Sequence, residues 1–201
     1  MSGRSYRGMS AEERLQERRE RLVSAAYALY ADLGFPDTTI EKLCAAARIS
    51  NRAFYECFTG REELMRVVYD KCVRDNLAVV SKAVEQAPNT LLGRIEAGVA
   101  AYIQFVTEEP RRARILHLEV RRAGDCLISS RQAAVAGFTQ IIETNLIEAP
   151  DTDGADPHLL VLGMIGALQE LLIEWVLADD PPSVDQVVKA AVHIYRRSLG
   201  S

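Results

Sequence analysis

Asn51, Arg52 and Ala53 begin the segment NRAFYECF, and Tyr55 follows one helical turn later. These residue types suit the reading of nucleic-acid edges. Arginine can pair bidentately with guanine O6 and N7, asparagine with adenine, and a small side chain such as alanine can lie against a thymine methyl group. A tyrosine hydroxyl at the next turn reaches phosphate. Upstream, Thr38 and Thr39 stand at a helix start, where free amides favour anions, while Arg48 and Arg61 flank the segment with positive charge.

Such side chains need a helix whose first turn is presented outward. Residues 38–58, TTIEKLCAAARISNRAFYECF, read as two short helices joined by a three-residue turn, an arrangement that places its second helix in the DNA major groove. Thr38 with Glu41 forms a capping-box pattern for the first, and Ser50 caps the second over 51–57. A preceding helix is expected over 11–33, with Leu22, Ala25, Ala26, Leu29 and Leu33 on one face. Glu17 and Arg21 would pair on its solvent side, and Gly34 would end it in a left-handed cap. A cap at Thr59 or Gly60 opens a helix with no breaker before Pro88, roughly 35 to 40 Å long.

Five further helices are predicted over 90–109, 111–122, 127–147, 157–178 and 184–199. Pro110 and Pro157 suit first turns, Asp156 can cap, Gly124 can close a helix, and Ser183 with Gln186 forms another capping box. Residues 149–157 read as a surface loop. No run alternates with period two, so the expected fold is all-α with about nine helices.

Among the 201 residues, 48% are hydrophobic and 26% charged, as expected of a globular chain. The polar, arginine-containing start lacks a cleavable apolar segment, which predicts a cytoplasmic protein. Net charge is −4, but its distribution is uneven. Residues 1–75 carry 13 Lys and Arg against 12 Asp and Glu, whereas residues 76–201 carry 11 against 16. The front third is therefore the plausible anion-facing part, relying on Arg4, Arg7, Arg18, Arg19, Arg21, Arg48, Arg52 and Arg61. Cys44, Cys57, Cys72 and Cys126 form no close pair, so neither a zinc site nor a disulfide framework is expected. They read as small buried hydrophobes, with Cys57, on the reading helix, the one whose oxidation would matter. No metal or cofactor is called for.

Residues 19–68 resemble the TetR family of bacterial transcriptional regulators. RERLVSAAYALYADLGF is similar to the family's first helix, TTIEKLCAAARIS to its second helix and turn, NRAFYECF to its third and TGREELMRVVYD to the entry of its fourth. The resemblance implies that Tyr55 covers a phosphate, that Phe58 is core and that Arg61 stands in for a phosphate-contacting lysine. Arg48 replaces the usual turn glycine, which predicts a left-handed residue or an altered turn. Glu56 and Cys57 replace positions often held by basic residues or histidine.

The resemblance further implies an N-terminal arm and DNA-binding unit over 1–60 and a helical ligand-binding and dimerisation part over 61–201. It also implies a homodimer on a palindromic operator, most simply a repressor released by a small inducer. Tyr102, Phe105, His117, Phe138, Met164 and Trp175 are the candidate lining of a hydrophobic or amphipathic ligand site, with His117, Gln169 or Glu170 as the polar contact. LLVLGMIGALQELLIEWVL is apolar nearly all round, but Gln169, Glu170 and Glu174 favour a buried helix over a membrane span. Gly163 and Gly166 would let another subunit approach it closely. A helical protein-interaction module is the competing class. An enzyme has little support, since His117, His158 and His193 are dispersed and no phosphate-cradling loop or nucleophile elbow occurs.

Overall fold

The computed structural model describes residues 10–145 and 154–199. Arg4, Arg7, the 146–147 end of one expected helix and the 149–153 part of the expected loop lie outside the described residues. Nine helices run through the described chain: α1 Ala11–Leu33, α2 Ile40–Ala47, α3 Asn51–Cys57, α4 Arg61–Gln86, α5 Leu91–Thr107, α6 over 110–122, α7 Ile128–Asn145, α8 Pro157–Leu177 and α9 Val184–Ser198. No strand occurs among them.

Local chemistry sets the boundaries. Ser10 and Glu13 form a reciprocal capping box at α1, and Ser183 with Gln186 repeats it at α9. Asp156 caps α8, whose first turn accepts Pro157, and Thr90 caps α5. At the end of α1, Gly34 has φ 88° with ψ 154°, so it takes a positive φ without the left-handed helical geometry expected of it. Leu33 is exposed rather than packed, and Arg21 reaches the carbonyl of Arg48 instead of pairing with Glu17.

The cap of α2 is one residue later than the sequence pattern predicts. Thr39 accepts from the Lys42 amide, while Thr38 is fully buried and its hydroxyl donates to the Gly34 and Leu29 carbonyls. Thr38 loses the capping position because its side chain is needed inside, tying the end of α1 to the start of α2.

α4 runs 26 residues, about 39 Å, from beneath the short helices into the body of the molecule. It packs along α5 and touches α7, while α5 lies on α9 and α8 lies on α7 and α9. One apolar cluster joins Leu22, Phe54 and Leu64 at the front to Ile103, Leu168 and Tyr195 at the back. α6 departs from the regular helix expected of it: Pro110–Ala113 and Val120–Arg122 are α-helical, but Arg114–Glu119 between them is a π-helix. α8 is long and apolar enough to cross a membrane by length and composition, yet it packs on its neighbours by one side.

Candidate functional site

α3 is anchored by Phe54, Cys57 and Phe58, all buried, with Phe54 and Phe58 in ring contact at 6.2 Å. Helical geometry then turns the other residues outward. The Arg52 side chain is 92% exposed and Tyr55 60%, with Asn51 exposed beside them and Ala53 half-buried. Ser50 accepts from the Ala53 amide and fixes where this helix begins.

The turn takes the left-handed alternative. Arg48 has φ 55° and ψ 51°, and the Ile49 amide donates to the Cys44 carbonyl at 3.0 Å. A side chain in this region costs roughly 1 to 2 kcal/mol relative to a right-handed position, a cost a glycine would avoid. Arg21 Nη2, 3.5 Å from the Arg48 carbonyl, braces the turn from α1.

Other α1 arginines also serve inside the unit. Arg18 pairs with Glu56 at 2.7 Å, and Arg19 stacks over the Phe58 ring and donates to the Cys57 carbonyl. Glu56 also lies 3.5 Å from Arg52, so it holds α3 to α1 and restrains the Arg52 side chain. Cys57 is buried, and that burial raises its thiol pKa against the opposing pull of Arg18 and Arg19, so it is not activated as a thiolate.

Two expected phosphate contacts are placed differently. Thr38 is sealed in the core, as described above, and positions α2. Arg61 directs Nη1 to the carbonyls of Phe35, Pro36 and Thr38 at 3.1 to 3.3 Å and lies over the Phe35 ring at 4.7 Å. It fastens the loop before α2 because those carbonyls have no helical donor. Thr39 and Arg48 remain exposed on the same unit as Asn51, Arg52 and Tyr55.

Behind this unit, α4 to α9 surround a largely apolar cavity that is partly open to solvent. Tyr102, His117, Phe138 and Met164 line it, as does Gln169. Phe105, Trp175 and Glu170 do not. Phe105 lies under the Arg112 guanidinium, Trp175 donates to the Pro182 carbonyl in the α8–α9 connection, and Glu170 is exposed. Helical spacing could not separate these, because ring size marks burial without saying which side of a helix faces open space.

The sequence reading missed Asn76 and Arg94. Asn76 interrupts the apolar row Tyr69, Val73, Val80 and Val84 on α4, a signal present in the sequence. It is fully buried with both amide atoms unpartnered. His117 Nε2 is likewise unpartnered; burial first, and Arg121 second, push its pKa down to about 3, leaving it neutral. Arg94 closes the far end with hydrogen bonds to Asn145 at 3.0 Å and Asn89 at 2.7 Å.

The π-helix links this cavity to the front unit. His117 faces the cavity, and two residues later Glu119, fully buried, accepts from the Phe35 amide at 2.8 Å. Arg122 and Arg114 approach the same carboxylate at 3.0 and 3.4 Å. Arg114 also donates to the Ala31 carbonyl of α1.

Comparison with known proteins agrees with this geometry. Residues 22–68 match the model of the bacterial regulatory proteins of the tetR family. The HTH-type transcriptional activator FasR of Mycolicibacterium smegmatis is 23% identical over 184 residues, covering 88% of this chain and 80% of that protein. The fatty acid degradation regulator FadR of Bacillus halodurans superposes with TM-score 0.76 at 16% identity, over 88% of this chain and 93% of that one. The regulator FadR of Bacillus subtilis, solved in complex with stearoyl-CoA, superposes with TM-score 0.77 at 15% identity, over 89% of this chain and 98% of that one. Residues 22–68 thus form an outward-facing helix-turn-helix that matches the DNA-binding unit of the TetR family of transcriptional regulators, on an all-helical body whose fold is that of the solved regulators.

Proposed function

We propose that the protein acts in the cytoplasm as a homodimeric repressor that leaves a palindromic operator when a hydrophobic or amphipathic effector fills its cavity. The observation that carries this reading is the exposed Asn51, Arg52 and Tyr55 face on a helix anchored by its opposite side. Residues 1–60 serve as the DNA-binding domain, and residues 61–201 bind the effector and the second subunit. Asn51 and Arg52 read bases, Ala53 lies against the groove floor, and Thr39, Arg48 and Tyr55 hold phosphates.

The apolar side of α8 supports the dimer. Only 28% of its most apolar stretch is buried within the chain, and Leu159 and Leu177 are 63% and 54% exposed. A second copy covering this side would set the two α3 helices about one DNA turn apart, roughly 34 to 36 Å. An effector that favours another separation then lowers operator affinity by differential binding. The path runs through α6, since displacing His117 shifts Glu119 and the Phe35 amide it holds.

The long acyl chain of the Bacillus subtilis relative supports an apolar-chain effector for a cavity with this mostly aliphatic lining. The activator name of the Mycolicibacterium relative favours a second reading, in which the same bound dimer recruits polymerase from an upstream site. Selection of bound fragments from random DNA, followed by a reporter carrying the selected site, tests both. An inverted repeat whose reporter is silenced is expected. Enrichment of no repeat overturns the dimeric DNA-reading assignment, and a stimulated reporter replaces repression by activation.

A further inference from the structure

A second space lies beside the apolar chamber, a more open groove between α6, α7 and α8. Tyr69 and His117 line both spaces and are only 5% and 3% exposed, so these buried side chains form a partition between them.

One end of the groove is basic. Arg121 on α6 and Arg131 on α7 line the groove and not the chamber, and neither makes a hydrogen bond or ion pair among the described residues. The other arginines of α6 are all committed: Arg111 holds Asp32, Arg112 holds Glu109, and Arg114 and Arg122 hold Glu119. The two unpaired guanidiniums come from different helices but act on one hydroxyl. Burial pushes the Tyr69 phenol up to about 12, Arg131 and Arg121 pull against that rise, and Asp70 adds to it. Tyr69 is therefore a neutral donor beside two positive charges. The groove's own carboxylate, Glu143, lies three turns beyond Arg131 on α7 and is taken by His158, Nδ1 to Oε1 2.9 Å.

Farther along α7 the groove holds a second kind of group. Thr139 lies two turns from Arg131, about 12 Å along the helix, and is 5% exposed with its hydroxyl unpartnered. A helical threonine ordinarily returns that hydroxyl to a carbonyl one turn back, as Thr107 does to Ile103 at 2.8 Å. His117 Nε2, in the partition, is also buried and unpartnered. Between the two ends the walls are apolar, with Val120, Val135 and Leu162.

We propose that this groove is a second ligand site, occupied independently of the chamber by a small organic acid. Its carboxylate meets Arg121, Arg131 and the Tyr69 hydroxyl through charge-assisted hydrogen bonds. A short apolar body lies on Val120, Val135 and Leu162, and a hydroxyl at the far end satisfies Thr139 and His117, whose unpaired atoms are otherwise costly. The site does not depend on the reading of the chamber as the effector cavity.

Calorimetric titration of the full chain with 4-hydroxybenzoate, benzoate, 4-hydroxybenzamide and inorganic phosphate tests it. One saturable site per chain is expected for 4-hydroxybenzoate, at least about tenfold tighter than for the neutral amide or for phosphate. Arg121→Gln/Arg131→Gln should weaken the acid at least about tenfold and leave the amide unchanged. Thr139→Val, close in shape, should bring 4-hydroxybenzoate and benzoate to within about twofold of each other, whereas the parent prefers the hydroxylated acid. Asn76→Leu alters the chamber and not the groove, and should bind 4-hydroxybenzoate as the parent does; Val80→Leu makes the same comparison should Asn76→Leu fail to fold. No saturable binding up to on the order of 10 mM, or an arginine variant that binds the acid as the parent does, overturns the site. Phosphate or the amide bound as tightly as the acid overturns the ligand class. A folded chamber variant that loses as much affinity as the arginine variant puts the acid in the chamber and overturns the independence of the groove.

Discussion

Arg52 and Arg61 flank the same helix, and their surroundings divide their roles. Arg52 is almost fully solvated and restrained only by Glu56, whereas Arg61 is spent on three carbonyls of the preceding loop. Arg52→Ala should therefore weaken operator binding by about 1 to 3 kcal/mol and relax base choice at one position, with an unchanged melting temperature. Arg61→Ala should lower the melting temperature, since it removes charged hydrogen bonds of about 2 kcal/mol, and should lose DNA affinity through a displaced α2. Fluorescence anisotropy beside thermal unfolding checks both; an Arg61 variant that melts like the parent would contradict the structural role. His117 makes a pH prediction. It stays neutral in the fold but takes a proton near pH 6.5 when unfolded, so stability is complete above about pH 6.5 and declines as the pH falls toward 3. Arg121 is the charged group acting on it, and Tyr102 packs against it as an uncharged ring. Denaturant unfolding at about pH 7.5 and pH 5 should show the parent losing roughly 2 kcal/mol more than His117→Phe.

Among the elements, α6 has the local geometry that the sequence hid. A π-helical stretch adds a residue to the turn, so His117 faces the cavity while Glu119 faces α1 and the following loop. Glu119→Gln preserves size and most hydrogen bonding but removes the charge that draws in Arg114 and Arg122. The expected result is effector affinity near that of the parent with a weakened release of operator, read by titrating effector into the protein–DNA complex. Release at the parental effector concentration would exclude α6 as the coupling element. The short helices were more legible: Ser50 and the apolar positions Phe54, Cys57 and Phe58 predict α3 as it is found. Thr38 and Thr39 were not separable, because either hydroxyl can cap and only the packing of the α1–α2 corner decides which is buried.

For the whole molecule, the exposed side of α8 is the surface on which the proposed dimer depends. Gly163 and Gly166 are exposed, and a Cβ at either would meet nothing within the chain. Gly163→Arg should therefore leave the protomer folded by circular dichroism while blocking close approach of a second α8. Sedimentation is expected to show a monomer, with operator affinity reduced at least about a hundredfold through the loss of one half-site. A dimeric Gly163→Arg variant would move the interface elsewhere. Gly163→Ala should behave as the parent does inside the protomer, which separates an interface effect from a folding defect.

The sequence by itself determined the helical class, the nine elements with most of their caps, and the identity of the reading helix. These follow from local rules: apolar period, capping side chains and breakers act within a few residues of one another. It also placed Asn51, Arg52 and Tyr55 on one outward side, because the buried residues of α3 leave them no other. The tertiary structure alone decided that Arg61 and Thr38 serve the loop before α2, that Phe105 and Trp175 lie off the cavity, and that Asn76 lies in its wall. It alone joined His117 to the front unit through Glu119. Those are relations between residues far apart in the chain, fixed by how helices are rotated and stacked, and a local pattern carries no record of that rotation.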